Sequence, residues 1–227
     1  MARVARLVLV AELVLVPGVL VLGAAACATT GAGRQVFRTD DGANSYPGVV
    51  HDPHEWPENF TVRQSIAIRS TRSGHTVEGQ LDAVMQKQDD TLVIVGLGPM
   101  NSRAFTLSQR GGTVEFVPSA AGPELPLLPR YILVDVYRVF FFVPLPRAGS
   151  DLVRGERDGE QVEERWEHGE LKLRSFTRPG SHLTGAVRVT YGAGCRVERC
   201  HPDSVTLHNE WLGYTLTITG QDYEALE

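Results

Sequence analysis

Concentrated positive charge is missing from this chain of 227 residues: its 22 Lys and Arg are outnumbered by 27 Asp and Glu and gather into no cluster. Nucleic acid is therefore a poor partner, because its phosphates demand a dense basic surface. The usual catalytic signatures are missing too. There is no Gly-x-Ser-x-Gly elbow, no His-Glu-x-x-His pair, and no glycine-rich loop that joins a strand to a helix and carries Lys-Ser/Thr. Cysteine is scarce, at three residues, so no Cys-rich metal arm exists. These absences point away from an enzyme and call for neither cofactor nor metal.

What is present begins at the N-terminus. Arg3 and Arg6 precede an apolar run, Leu7 to Leu22, broken only by Glu12 and Pro17, and Gly23 and Ala24 to Ala26 lead into Cys27. Charged, apolar, then small is the order of a secretory signal. Ala24-Ala25-Ala26-Cys27 resembles a bacterial lipobox, which implies cleavage after Ala26 and acylation of Cys27 with chains such as palmitate. One acyl chain binds a membrane only marginally, whereas two or three anchor stably. Residues 1–26 then read as a lipoprotein signal peptide and 27–48 as acylated Cys27 plus a flexible tether, rich in Thr, Gly and Ala. The competing reading is a transmembrane anchor, since Leu7 to Ala26 approaches the roughly 20 residues that cross a bilayer. Removing the signal takes the net charge from −5 to −6, because Arg3, Arg6 and Glu12 go with it. The expected location is the bacterial envelope, lipid-anchored. The outer membrane facing the periplasm is favoured, because Ala28 stands where enteric lipoproteins kept at the inner membrane carry Asp.

Cys195 and Cys200 remain. In an oxidising compartment their spacing favours a disulfide closing the Arg196 to Arg199 loop. Free thiols, or a metal also bound by His201 and His208, are the alternatives.

From Thr61 the chain alternates with period two, which puts one face in a core and one in water. Val62, Ile66 and Ile68 alternate with Arg63, Ser65 and Arg69; after Ser73-Gly74, Val77, Gly79, Leu81, Ala83 and Met85 continue. Thr91 to Val95, Phe105-Leu107 and Val114-Phe116 complete a meander of about five antiparallel strands. Prolines 118, 123, 126 and 129 interrupt it. Tyr131 to Val143 follows, with Ile132, Val136, Val139, Phe140 and Val143 at helical spacing and Leu133, Tyr137 and Phe141 on the opposite side. That predicts a short helix ending before Pro144, apolar nearly all round, with a buried strand as the competitor. Asp135 inside this segment reads as a hydrogen-bonded structural acid. Asp151 to Gly169 mixes Glu160, Glu163, Glu164 and Glu167 with Arg154, Arg157 and Arg165, a pattern expected of solvated strands and turns. His51-Asp52-Pro53-His54-Glu55 reads as a proline-bounded surface loop. Alternation resumes through Leu171-Leu173, Val187-Tyr191, Val205-Leu207 and Tyr214-Ile218, for about ten or eleven strands in all.

Leu92-Val93-Ile94-Val95 running into Gly98-Pro99-Met100-Asn101, the stretch Glu124-Leu125-Pro126-Leu127-Leu128-Pro129 before Ile132-Leu133-Val134-Asp135-Val136, and the closing Tyr214-Thr215-Leu216-Thr217-Ile218 resemble an uncharacterised family of bacterial lipoproteins. That family is often encoded among aryl polyene or fatty-acid-like biosynthesis genes and is distantly similar to the LolA and LolB lipoprotein carriers. The resemblance covers about residues 58–220. It implies a mainly β fold: an antiparallel half-open β-barrel with one or two short helices over its concave face, forming a single LolB-like domain at 49–227. It also implies a noncatalytic, membrane-anchored protein that takes acyl chains or lipidated proteins into an apolar cavity for lipid or lipoprotein transport. The expected cavity is formed by Leu81, Met85, Leu133, Val136, Phe140, Phe141 and Trp211. Leu97 and Met100 would form a transfer loop. The alternative is a structural or assembly lipoprotein whose β core is filled and which binds an envelope protein partner.

Overall fold

The computed structural model describes residues 33–40, 46–72, 75–119, 128–141, 143–147, 149–196 and 200–226. The signal segment, Cys27 and half of the expected tether (27–32 and 41–45) lie outside them, as does the Pro-rich stretch 120–127. All the described residues fall within one compact unit, Gly31–Glu227.

Twelve antiparallel strands form one sheet among the described residues: β1 (Gln35–Arg38), β2 (Asn59–Arg72), β3 (His75–Gln88), β4 (Thr91–Leu97), β5 (Arg103–Arg110), β6 (Thr113–Pro118), β7 (Leu152–Arg157), β8 (Glu160–Glu167), β9 (Glu170–Thr177), β10 (Val187–Tyr191), β11 (Ser204–Asn209) and β12 (Tyr214–Leu226). Their order across the sheet is β1-β6-β5-β4-β3-β2-β12-β11-β10-β9-β8-β7. Two meanders, β2 to β6 and β7 to β12, thus meet where β2 pairs with β12. No pairing among the described residues joins β1 to β7, so the sheet is open. The single α-helix among the described residues, α1 (Pro129–Val139), connects the meanders and packs on the sheet's inner face.

The predicted helix and the meander are both present. Pro129 sits in the first turn of α1, where its missing N–H costs nothing, and the helix stops at Phe140, before Pro144. Twelve strands replace the ten or eleven expected, because Gln35–Arg38 pairs with β6 inside the stretch read as tether. Tyr46 in that same stretch is fully buried. A four-residue strand in a Thr/Gly-rich background leaves too little periodicity to read.

Two cores lie on the inner face. One joins α1 to β2–β6 through Val62, Met85, Leu92, Leu107, Leu133 and Phe141; the other joins β8–β12 through Trp166, Leu171, Val187, Val189, Val205 and Leu207. Phe140, Trp211 and Leu212 touch both. Gly96 shows why a small residue is needed in β4: its cross-strand partner is Phe105, and a Cβ there would stand 2.2 Å from the Phe105 ring.

The charged segment at 151–169 departs from expectation. The inner face of β8 reads Glu160, Val162, Glu164, Trp166, all buried. Glu164 accepts from the Leu145 amide at 3.1 Å, from Trp166 Nε1 at 3.1 Å and from the Arg174 guanidinium. The alternation was present in the sequence. The partner, Arg174 on the neighbouring strand, was not adjacent to it.

Cys195 and Cys200 are disulfide-bonded, five positions apart, with Cys195 fully buried against the second core. By loop entropy so short a closure is worth about 2 kcal/mol. Reduction is expected to lower Tm by about 4–8 °C, and a Cys195→Ala/Cys200→Ala chain should melt identically with and without reductant.

Candidate functional site

The helix α1 presents three different faces. Ile132, Val136, Val139 and Phe140 form one stripe, and this stripe walls a cavity of about 110 Å³ whose other side is Gln64, Ile66 and Ile68 of β2, Leu81, Ala83 and Met85 of β3, Ile94 and Phe105, and Leu207, Leu216 and Ile218. The cavity is apolar except at Gln64 and Asp135. It has a graded depth: Met85, Ile94 and Phe105 at one end are buried, whereas Ile68, Leu81 and Ile132 at the other are half-buried.

The second face of α1 is core. Leu133 is completely buried, and Phe141, just past the helix, packs its ring on Trp56 (5.1 Å), Tyr137 (5.0 Å) and Phe60 (5.7 Å). Of the seven residues expected to line the cavity, Leu81, Met85, Val136 and Phe140 do so. Leu133 and Phe141 belong to the packed core. Trp211 stands outside the cavity, edge-on to Tyr46 and beside the Arg138 guanidinium at 5.2 Å, with Nε1 donating to the Gly185 carbonyl.

The third face is polar and buried. Arg138 Nη1 donates to Asp135 (3.2 Å) and to the Tyr46 hydroxyl (2.7 Å); its Nη2 donates to Glu160 (2.6 Å) and to the Pro47 carbonyl (2.8 Å). Asp135 also accepts from the hydroxyls of Tyr46 and Tyr214. Asn209 Nδ2 donates to Tyr46 at 2.6 Å. Two turns before Arg138, Arg130 donates to the carbonyls of Thr39, Tyr46 and Gly48. Gly48 sits at φ +109° beneath α1, where a Cβ would meet Val134 at 2.5 Å. At the C-terminal half of the helix, Tyr137 donates to Gln109 at 2.9 Å. These bonds tie α1 to the segment before β2, to β5, to β8 and to the β11–β12 turn.

Burial sets the electrostatics of this cluster. One guanidinium faces two carboxyls, and desolvation pushes both Asp135 and Glu160 up from the ordinary carboxylate range, with Arg138 pulling the other way. Arg138 itself stays charged, held up by Tyr46, Glu160 and Asp135 against the burial that would lower it. Burial raises Tyr46 and Tyr214 as well. The folded chain therefore keeps protons on these carboxyls to higher pH than the unfolded chain does. Their contribution to stability is full below about pH 4 and is lost as pH rises through the raised values. A Glu160→Gln chain, which carries the neutral form permanently, is expected to gain on the wild type between pH 5 and pH 8; the relative urea midpoints at the two pH values measure it.

Elsewhere, Leu97 ends β4 half-buried, while Met100 is 98% exposed at a turn where it and Asn101 both have positive φ. His51 lies between Glu55 (3.1 Å) and Asp158 (3.0 Å), and His54 is exposed. No group of three His, Cys, Asp or Glu is placed to hold a metal among the described residues. Sequence reading missed Gln64, Tyr46, Arg138 and Glu160. The one available signal was Asp135-x-x-Arg138 in an otherwise apolar helix, a spacing that puts both on one face.

The family described as "Protein of unknown function (DUF3261)" matches residues 61–222. No curated protein matches. Among solved structures the chain is similar to a LolA superfamily protein from Nitrosomonas europaea, at 13% identity over 78% of this chain and 91% of that one, TM-score 0.43. It is also similar to a putative outer membrane lipoprotein-sorting protein domain from Vibrio parahaemolyticus (10% identity, 77% and 89% covered, TM-score 0.39). A third similarity is to a DUF1329 family protein from Desulfovibrio piger (11%, 74% and 85%, TM-score 0.36).

Proposed function

We propose, of a chain that belongs to the DUF3261 family of proteins of unknown function, that it is a lipid-anchored envelope protein which holds an acyl chain, free or attached to a protein, between α1 and its sheet. The observation that carries this reading is the apolar cavity along the Ile132, Val136 and Phe140 stripe. Hydrocarbon enters such a space by area burial alone, at roughly 25 cal/mol per Å². At about 110 Å³ the cavity is smaller than the 300–1,000 Å³ typical of ligand pockets, so a long chain must displace the half-buried Ile132, Val136 and Phe140 side chains. The structure is then the closed form. Exposed Met100 gives the β4–β5 turn an apolar tip for contact with a membrane or a cargo donor, and Cys27 supplies the anchor, on the outer membrane.

A second reading has one observation in its favour. The hydrogen bonds of Arg130, Asp135 and Arg138 hold α1 in place, as a fixed core element of an assembly lipoprotein would be held. Native mass spectrometry separates the two. The full chain, purified from bacterial envelopes in a fluorinated surfactant, is expected to carry a stoichiometric acylated species that lipid extraction identifies. A bare protein, still bare after incubation with fatty acids and acylated peptides, would remove the carrier and leave a protein partner to be sought.

A further inference from the structure

Gln64 is a polar side chain set where the cavity calls for an apolar one. It belongs to the inward row of β2, between Val62 and Ile66, is 4% exposed, and lines the cavity. Among the described residues its Oε1 has no hydrogen-bond partner. Its cross-strand neighbour is Ala83, too short to cover it. On the other side the register shift of β12 between Thr219 and Asp222 falls opposite Gln64, so Gln64 has no paired residue in β12. The second polar group of the wall, Asp135, already has both carboxyl oxygens bonded, by Tyr46, Tyr214 and Arg138.

A plain hydrocarbon in this cavity would leave the Gln64 carbonyl desolvated and unbonded, which costs more than the bond itself gains. A trapped water is a poor substitute, since buried waters need two to four polar partners and this wall offers one free acceptor. A hydroxyl carried by the chain meets the need and brings its own apolar flanks. Resting on the acyl-chain reading above, we infer that the cavity selects hydroxylated acyl chains, with the hydroxyl donating to Gln64 Oε1. The depth gradient sets the orientation. The chain enters past Ile68, Leu81 and Ile132, its hydroxyl stops at Gln64, and its methyl end continues toward Met85, two residues or roughly 7 Å further along the strand direction.

The test uses the full chain in a fluorinated surfactant, with competition among tetradecanoic acid, its 3-, 8- and 12-hydroxy derivatives, and N-decylacetamide, read by native mass spectrometry. The wild type is expected to hold one hydroxylated isomer about tenfold more tightly than tetradecanoic acid. Gln64→Leu, verified as folded by its melting curve, should reverse that order while keeping or improving binding of the plain acid. Wild-type binding of tetradecanoic acid at least equal to every hydroxy isomer overturns the inference and leaves the carrier standing. Preference for N-decylacetamide alone reassigns the donor to an amide and overturns the hydroxyl. A Gln64→Leu chain that weakens all ligands alike makes the residue structural and overturns it too. Failure of every ligand to bind removes the carrier, and this inference with it.

Discussion

Arg138→Met is expected to destabilise the fold by about 3–5 kcal/mol, because removing one partner of a buried charge pair leaves the other uncompensated. Here the loss is doubled in kind. Asp135 and Glu160 would face each other across the space that the guanidinium filled, and the Tyr46 hydroxyl and Pro47 carbonyl would each lose a donor. For a domain of this size the change corresponds to a fall in Tm of about 6–20 °C. Urea unfolding followed by circular dichroism gives the number. The companion chain Asp135→Asn/Arg138→Met/Glu160→Gln should recover a large part of the loss, since it removes the stranded charges while keeping the volume. A loss below about 1 kcal/mol for Arg138→Met would mean that water reaches the cluster and that α1 is not clamped.

Val136→Trp carries the largest expected effect on binding. Val136 stands at the middle of the helical stripe, half-buried, with the cavity in front of it. The added indole occupies space that a chain would use. Excluding two or three methylenes costs about 2 kcal/mol at about 0.8 kcal/mol each, or roughly thirtyfold in affinity. Because the new ring fills a void instead of crowding a packed core, Tm should hold or rise. Affinity and stability then move in opposite directions, which no filled-core protein would show. Phe141→Ser is the contrasting change: its ring lies among Trp56, Phe60 and Tyr137, so it should lower stability with no direct effect on the cavity.

The parts of the fold visible in the sequence were those set by local periodicity. Val62, Ile66, Ile68 and the row Leu81, Ala83, Met85 predicted their strands, and the stripe Ile132, Val136, Val139, Phe140 predicted the helical face that meets the cavity. What could not be read were pairings across long separations. Arg138 finds Tyr46 at a sequence separation of 92 and Glu160 at 22, and nothing in either neighbourhood announces the other. Glu164 was read as a surface charge, because its partner Arg174 lies on the next strand, outside the charged segment. Gln64 went unremarked, although its parity with Val62 and Ile66 places it inside. Leu133 and Trp211 were assigned to the cavity on apolarity alone. Apolarity does not distinguish a wall from the core behind it.

The seam between β2 and β12 governs the order in which this molecule can be assembled. Gln64 and its row belong to a strand whose partner on one side, β3, is its neighbour in sequence, while the partner on the other side pairs Asn59 with Leu226 and Ser70 with Tyr214. The first meander can therefore form from neighbours in sequence, but the wall containing Leu216 and Ile218 is absent until β12 arrives. Contacts of such wide separation close slowly, because the entropy of the intervening chain must be overcome first. Until then the inner row of β2 lies bare to whatever apolar surface is at hand. A chain threaded across a membrane from its N-terminal end delivers β12 last of all its strands. On the secreted, acyl-binding reading proposed above, the cavity would be finished only after secretion is, with its occupants already in the same compartment.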